Sequence, residues 1–114
     1  LRIEEMLRQV LGMLEMTKTA LNEENLDLAL TVFSKDNLLD QINADAPGVL
    51  TAYLEKHPDC FLTCLELGTV IRKLERAGDH ITNIAEEIVF FIDAKVLKHS
   101  GKVDEHFMGK EKKQ

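Results

Sequence analysis

The chain has 114 residues, with 20 acidic against 14 basic side chains and a formal net charge of −6. This length indicates one domain with a modest core, and the acidic balance disfavours nucleic acid and anionic membranes as primary partners. The sequence is 45% hydrophobic but only 5% aromatic, with two prolines and six glycines; this composition favours helices over a β-sandwich. No apolar run approaches the ~20 residues that span a bilayer, so we expect no membrane insertion.

The first predicted helix runs from Leu1 to about Leu21. The residues of its mainly apolar stripe recur at alternating steps of four and three: Ile3, Leu7, Val10, Leu14, Thr17 and Leu21. Methionines and an alanine flank the same side, so the face is wide enough to pack against two neighbouring helices. Either Asn22 or Asn25 can cap the helix that follows.

The second predicted helix begins near Asn25 and carries an internal proline. Because proline lacks a backbone donor and disfavours helix in the residue before it, we expect a kink or short break at residues 45–48. Helix resumes at Val49, and residues 56–59 form the clearest turn in the chain. Pro58 suits the first position of a new helix.

The third predicted helix runs from Asp59 to about Leu97. Apolar or small residues recur close to the heptad period at positions 61, 65, 68, 71, 74, 78, 81, 85, 88 and 92. Three helices with short connections predict an all-α, antiparallel up-down-up three-helix bundle over residues 1–99. Residues 100–114 are polar, and we expect them to fray.

Two pairs of carboxylates stand beside the apolar stripes of the second and third helices. Asp36 and Asp40 are four residues apart, as are Glu75 and Asp79, so each pair projects from one face of its helix. From the intervening turn, Asp40 is about 17 residues back and Glu75 about 17 residues forward, which places the two pairs at the same height, about 25 Å away.

Four carboxylates in one groove repel one another, and a multivalent cation is the usual relief. Oxygen ligands favour Mg²⁺, Ca²⁺, Mn²⁺ or Fe³⁺. The alternative is that each pair is ordinary surface charge, neutralised by nearby basic residues: Lys35, Arg72, Lys73 and Arg76.

Other candidate residues carry weaker signals. Asn83 and Glu86 continue the acidic line of the third helix, whereas His80 points about 100° away and is expected to be exposed or interfacial. Gly78 fits either a close approach to a cluster or tight helix packing. The only two cysteines, at positions 60 and 64, are expected to be reduced and packed, which favours the cytoplasm.

Enzymatic activity is not expected. No glutamate has a histidine three residues later, as helical di-iron sites require. The chain also lacks a phosphate-cradling glycine loop, a nucleophile elbow and a His-Glu-x-x-His motif. A metal-independent helical interaction or dimerisation domain is therefore the main alternative to a metal-binding one.

One segment carries a family resemblance. The string Leu74-Glu75-Arg76-Ala77-Gly78-Asp79-His80-x-x-Asn83-Ile84-Ala85-Glu86, preceded by Asp36-x-x-x-Asp40, resembles the PhoU family of bacterial phosphate-uptake regulators. Members have two tandem three-helix repeats, and the ending at residues 91–99 is similar to that of the second repeat. The resemblance thus implies that the chain is a C-terminal half.

The resemblance also implies a function. It implies a cytoplasmic negative regulator that acts between the ATPase of a phosphate ABC transporter and the sensor histidine kinase of the phosphate regulon. Family members hold metal clusters on these motifs, which implies Asp36, Asp40, Glu75 and Asp79 as ligands of Fe, Mn, Mg or Zn. We further expect a homodimer.

Overall fold

Three helices in antiparallel order make up the computed structural model, which describes residues 2–99. Helix α1 spans Ile3–Glu23, α2 spans Leu26–Lys56 and α3 spans Phe61–His99; a short 3-10 helix at Pro58–Cys60 joins α2 to α3. No strand occurs within the described range. The predicted all-α three-helix bundle is therefore confirmed. The tail predicted at residues 100–114 lies outside the described residues.

Local sequence explains where α2 begins and where α3 follows it. The side chain of Asn25 accepts a hydrogen bond from the backbone N–H of Leu28 at 3.1 Å, so Asn25 is the cap. Pro58 opens the 3-10 helix, where its missing N–H leaves no hydrogen bond unmade. The tight turn makes α2 and α3 antiparallel neighbours, which sets the register of the acidic residues.

A kink or a short break was expected at residues 45–48, and the break is wrong. Helix α2 continues through Pro47 without interruption. Proline removes only one backbone donor, and Ile42 and Ala46, on the turn before it, are buried in the main core. Tertiary packing therefore outweighs the local preference.

The face that α1 buries is displaced from the predicted stripe. Met6 and Met13 are fully buried, whereas Leu7 and Leu14 remain about half exposed. Thr17 is also buried, and its hydroxyl donates to the carbonyl of Met13 at 2.7 Å. Flexible methionine side chains reach into irregular gaps that branched leucines fill less well. The periodicity predicted the helix correctly but not the centre of its buried side.

Helix α3 follows the predicted seam except at its start. The buried side includes these members of the seam: Ile71, Gly78, Ile81, Ala85, Ile88 and Ile92. Phe61 and Leu65 are exposed instead, and Cys64 is buried in their place. The central part of α3 thus packs firmly on α2, beside the fully buried Leu39.

Candidate metal centre

The antiparallel register of α2 and α3 brings acidic residues together as predicted. Asp36, Asp40 and Asp79 each offer one carboxylate oxygen, and these oxygens all lie within 4.8 Å of one another. A hard cation lies about 2.0–2.6 Å from each oxygen that ligates it, so the ligating oxygens are roughly 3–5 Å apart from one another. The spacing of these three residues, called the acidic cluster below, is therefore suited to one cation.

Glu75, the fourth predicted ligand, stands just outside this group. It lies one helical turn before Asp79 and is partly buried. Burial raises the pKa of the Glu75 carboxyl, and the charges of Asp79 and Asp40 raise it further. Glu75 therefore shares the electrostatic environment of the acidic cluster, although its oxygens do not join the closest group.

Asp36 is the innermost member of the cluster. Its Oδ1 atom is buried and has no hydrogen-bond partner among residues 2–99. Burial is the main reason that the pKa of Asp36 rises to about 6, followed by the charges of Asp40 and Asp79. An unpartnered buried carboxylate oxygen is costly, and a cation ligated by that oxygen would remove the cost.

Gly78 lets the two helices approach closely at this point. A Cβ atom added at Gly78 would lie 2.8 Å from Oδ1 of Asp36 and would collide with Cδ1 of Leu39. Gly78 therefore has both of the roles expected for it. The absence of a side chain allows α2 and α3 to pack tightly, and it also makes room for the carboxylate of Asp36. Any larger residue would push Asp36 or Leu39 away.

Basic side chains do not neutralise the cluster. None of the ion pairs formed within residues 2–99 includes Asp36, Asp40, Glu75 or Asp79. Arg72, which lies three residues before Glu75 on α3, instead donates to the hydroxyl of Thr69 at 3.1 Å. The interpretation of these acids as ordinary paired surface charge is thus not supported by the geometry.

The other titratable candidates do not join the cluster. His80 and Glu86 are exposed and lie outside the group of converging oxygens, and Asn83 is also exposed. Cys64 is buried and Cys60 partly buried, both as free thiols, as expected. Within residues 2–99 the acidic cluster is the one group of His, Cys, Asp or Glu residues with ligand atoms this close together.

The sequence did not show which carboxylate would be buried. Asp36 and Asp40 follow the same helical spacing, yet Asp36 is partly buried and Asp40 is exposed. The difference arises because Asp36 faces Gly78 across the helix pair, whereas a side chain other than glycine would have excluded it. A glycine opposite an acidic pair in an antiparallel register is a signal that could have identified Asp36.

The raised pKa of Asp36 predicts how the metal-free protein responds to pH. A carboxyl group with a pKa near 6 when folded and 3.8 when unfolded binds more protons in the folded state between those values. Protonation of Asp36 therefore stabilises the folded state fully below pH ~4, and this stabilisation is lost as pH rises through 6. Because solvent screens the carboxyl group in part, we expect the free energy of unfolding to increase by about 1 kcal/mol from pH 7 to pH 4.5.

Urea unfolding of chelator-treated protein at the two pH values measures this effect. The matched control is Asp36→Asn, which cannot titrate at this position, so the difference between the two proteins isolates the contribution of Asp36. An equal pH response in both proteins would contradict the raised pKa.

None of the described helices is long and apolar enough to cross a membrane.

A family model described as the PhoU domain matches residues 3–88, a range that includes all four predicted ligands.

Curated relatives support the same family. A phosphate-specific transport system accessory protein PhoU homolog from Caulobacter vibrioides is 38% identical over 96 residues, covering 83% of this chain and 41% of the relative. A protein of the same name from Pseudomonas aeruginosa is 31% identical over 93 residues, covering 82% of this chain and 38% of the relative. No solved structure matches the chain.

The present chain spans about two fifths of the length of these curated relatives. The match nevertheless takes in most of all three helices and both acidic pairs. The three-helix fold, the register of the acidic pairs and these similarities lead to one conclusion: the chain belongs to the PhoU family.

Proposed function

We propose that this chain is a metal-binding regulatory module for phosphate uptake and phosphate-regulon signalling, working through protein contacts in the cytoplasm. The observation that carries the metal part is the buried, unpartnered Oδ1 of Asp36 beside two further carboxylates. The regulatory part is supported by the names of the relatives, which are phosphate-specific transport accessory proteins. The proposed partners are the ATPase of a phosphate ABC transporter and a sensor histidine kinase.

The donor set limits which cations fit. Three carboxylates and no thiolate or imidazole favour hard cations, so Mn, Mg and Fe are better candidates than Zn among the four proposed metals. Asp36, Asp40 and Asp79 would hold the cation, with Glu75 one turn away. A bound cation would supply positive charge that removes the repulsion between α2 and α3.

The chain's own residues define what such a site does. Asp36 and Asp40 belong to α2 and Asp79 to α3, so ligation would link the two helices. Because Asp40 and Asp79 are exposed, the proposed site would lie at the surface, within reach of a partner protein. We infer a role in organising a binding surface, without a catalytic step.

The alternative proposal is a metal-independent helical interaction domain. It is favoured by large apolar side chains that remain exposed on all three helices, including Leu11, Tyr53 and Phe90. Under this alternative, the acidic cluster would be dispensable for partner binding.

A reporter experiment distinguishes the two proposals. The full chain is expressed in a bacterium that lacks its own PhoU and carries a phosphate-regulon reporter, under abundant phosphate. We expect reporter expression to be severalfold lower with the natural chain than in cells without it. Glu66→Gln, a control substitution of an exposed acidic residue on α3, should lower expression equally. Asp36→Ala combined with Asp79→Ala should not lower expression.

Two results would count against the proposal. Equal repression by the doubly substituted chain would favour the metal-independent domain. Absence of repression by the natural chain, when it is present at normal levels, would contradict regulation by this chain.

A further inference from the structure

The two cysteines of the chain lie where the α2–α3 turn passes into α3. Cys60 is the last residue of the 3-10 helix, and Cys64 lies one helical turn later, in α3. Cys60 is partly exposed, whereas Cys64 is only 4% exposed. One thiol is therefore accessible from solvent, and the other is held against the protein interior. These two residues are called the thiol pair below.

Both members of the thiol pair line one cavity at this end of the bundle. The cavity has a volume of about 400 Å³, and all three helices contribute to its walls, which include Ile3, Leu50 and Leu67. Val49 and Tyr53 also line it and are about half exposed, so the cavity opens to solvent on their side. A molecule as small as hydrogen peroxide can therefore enter it and meet the thiol pair.

The side chain of Tyr53 lies beside both thiols. A hydrogen bond with Cys60 is the main reason that the pKa of the Tyr53 hydroxyl is raised, and Cys64 contributes to the same shift. The Tyr53 ring also stacks on His57, with ring centroids 4.4 Å apart. The backbone N–H of Cys60 donates to the carbonyl of His57 at 3.0 Å. These contacts hold both sulfur atoms on the side of the turn that faces Tyr53.

The spacing of the thiol pair is compatible with a disulfide bond. Helical residues four apart have Cα atoms about 6 Å apart, and disulfides join residues whose Cα atoms are about 4.4–6.8 Å apart. Their Cβ atoms, about 5–6 Å apart on a helix, must approach by about 1–2 Å. The intervening Phe61 and Leu62 are both more than half exposed, so core packing does not prevent this turn from adjusting.

A soft metal ion fits these thiols less well. Zinc sites need three or four protein ligands, and among residues 2–99 the thiol pair belongs to no group of three converging ligand atoms. The nearest imidazole along the chain, that of His57, is stacked on Tyr53. A bond between the two sulfur atoms needs no third ligand.

We propose that Cys60 and Cys64 form a reversible redox pair, which closes to a disulfide when a peroxide enters the cavity. The Cys60 sulfur attacks one peroxide oxygen, the O–O bond breaks, and the other oxygen leaves as water with the thiol proton. The Cys64 sulfur then attacks the sulfenic acid on Cys60. The S–O bond breaks, and a second water leaves with the Cys64 proton. Two thiols and one hydrogen peroxide thus give one disulfide and two waters.

The reverse reaction requires only a thiol reductant. Because the turn must draw together to form the bond, the disulfide is strained, and strained disulfides are the readily reduced ones. Glutathione can therefore attack it and return both cysteines to thiols, with oxidised glutathione as the product. Disulfides of this transient kind are typical of redox sensing in reducing compartments.

Mass spectrometry of the full chain after peroxide treatment tests the pairing. The chain is reduced, kept in chelator so that no metal catalyses the oxidation, and exposed to hydrogen peroxide. Remaining free thiols are then alkylated after unfolding. We expect both thiols to be lost together in a monomer that is lighter by two hydrogens, and excess glutathione should restore both.

Single substitutions separate the roles of the two thiols. In Cys64→Ala, peroxide should leave a sulfenic acid on Cys60 that dimedone traps, because no second thiol is present to displace it. In Cys60→Ser, the buried Cys64 should be oxidised at least about tenfold more slowly than Cys60 is in Cys64→Ala, because access limits oxidation.

A displaced thiol provides the matched control. Combining Cys60→Ser with Leu62→Cys puts a thiol at a position that is 67% exposed but lies about 160° around the helix from Cys64. This variant should form an intramolecular disulfide at least about tenfold more slowly than the natural chain, because the two Cβ atoms point apart. Far-UV circular dichroism checks that each variant stays helical.

Three results would overturn the proposal. If Cys64 can still be alkylated after Cys60 has been oxidised, the two thiols do not pair. A disulfide that joins two chains would show that the reaction occurs between molecules and not within the turn. Equal rates in the natural chain and the displaced-thiol control would show that the positions of Cys60 and Cys64 are not special.

Discussion

Asp36→Ala combined with Asp79→Ala should lower the affinity for Mn²⁺ by at least about a hundredfold, because it removes two of three converging carboxylates. Equilibrium dialysis against Mn²⁺ followed by elemental analysis measures the loss. The helical content should be unchanged, since Asp36 is only partly buried, Asp79 is exposed, and neither residue belongs to the hydrophobic core. Glu66→Gln is the matched control and should bind as the natural chain does.

A single substitution at Asp36 distinguishes a metal-binding role of this carboxylate from a structural one. At pH 7 and without metal, Asp36→Asn should raise the free energy of unfolding by about 1 kcal/mol, since it removes a partly buried charge that three neighbouring carboxylates repel. With metal present at 100 times its dissociation constant, the natural chain should gain about 2.7 kcal/mol and the variant little. If Asp36→Asn destabilises the metal-free protein, the carboxylate is structural and not a strained ligand.

Gly78→Ala should destabilise the protein by about 1–2 kcal/mol. Alanine favours a helix by about 1 kcal/mol over glycine, but overpacking costs about 1–3 kcal/mol, and here neither neighbour has room to move. Leu39 is fully buried, and the Asp36 oxygen in contact with the new methyl group is also buried. Affinity for Mn²⁺ should fall as well, because the methyl group displaces Asp36.

Gly12→Ala provides the control. Gly12 also lies inside a helix, but a Cβ atom there meets nothing within 4 Å, so this substitution should stabilise the protein by up to about 1 kcal/mol. Urea unfolding of both variants gives the comparison. Equal stabilisation by the two substitutions would contradict the close approach at Gly78.

Much of this fold could be predicted because strong patterns reinforce one another. The polar breaks near Asn25 and Pro58 mark both connections, and both were confirmed within a few residues. Once the α2–α3 turn is placed, helical rise alone sets Asp36 and Asp79 at the same height. The convergence of three carboxylates therefore followed from counting residues on either side of one turn.

The incorrect predictions share a physical cause. The local sequence is compatible with more than one arrangement, and tertiary packing determines which one forms. Pro47 stays within α2 because its neighbours are buried, and no local pattern shows that burial. The wide apolar face of α1 allowed either Leu7 or Met6 to occupy the core. In the same way, the burial of Asp36 depends on what lies opposite it on α3.

The most direct measurement is the thermal unfolding of chelator-treated natural protein at pH 7, before and after separate addition of Mn²⁺, Fe²⁺, Mg²⁺ and Zn²⁺. We predict a rise in unfolding temperature that depends on the concentration of at least one hard cation. That rise should be absent in the protein carrying Asp36→Ala and Asp79→Ala and intact in Glu66→Gln. A natural chain whose unfolding temperature responds to none of these cations would contradict a metal centre at Asp36, Asp40 and Asp79.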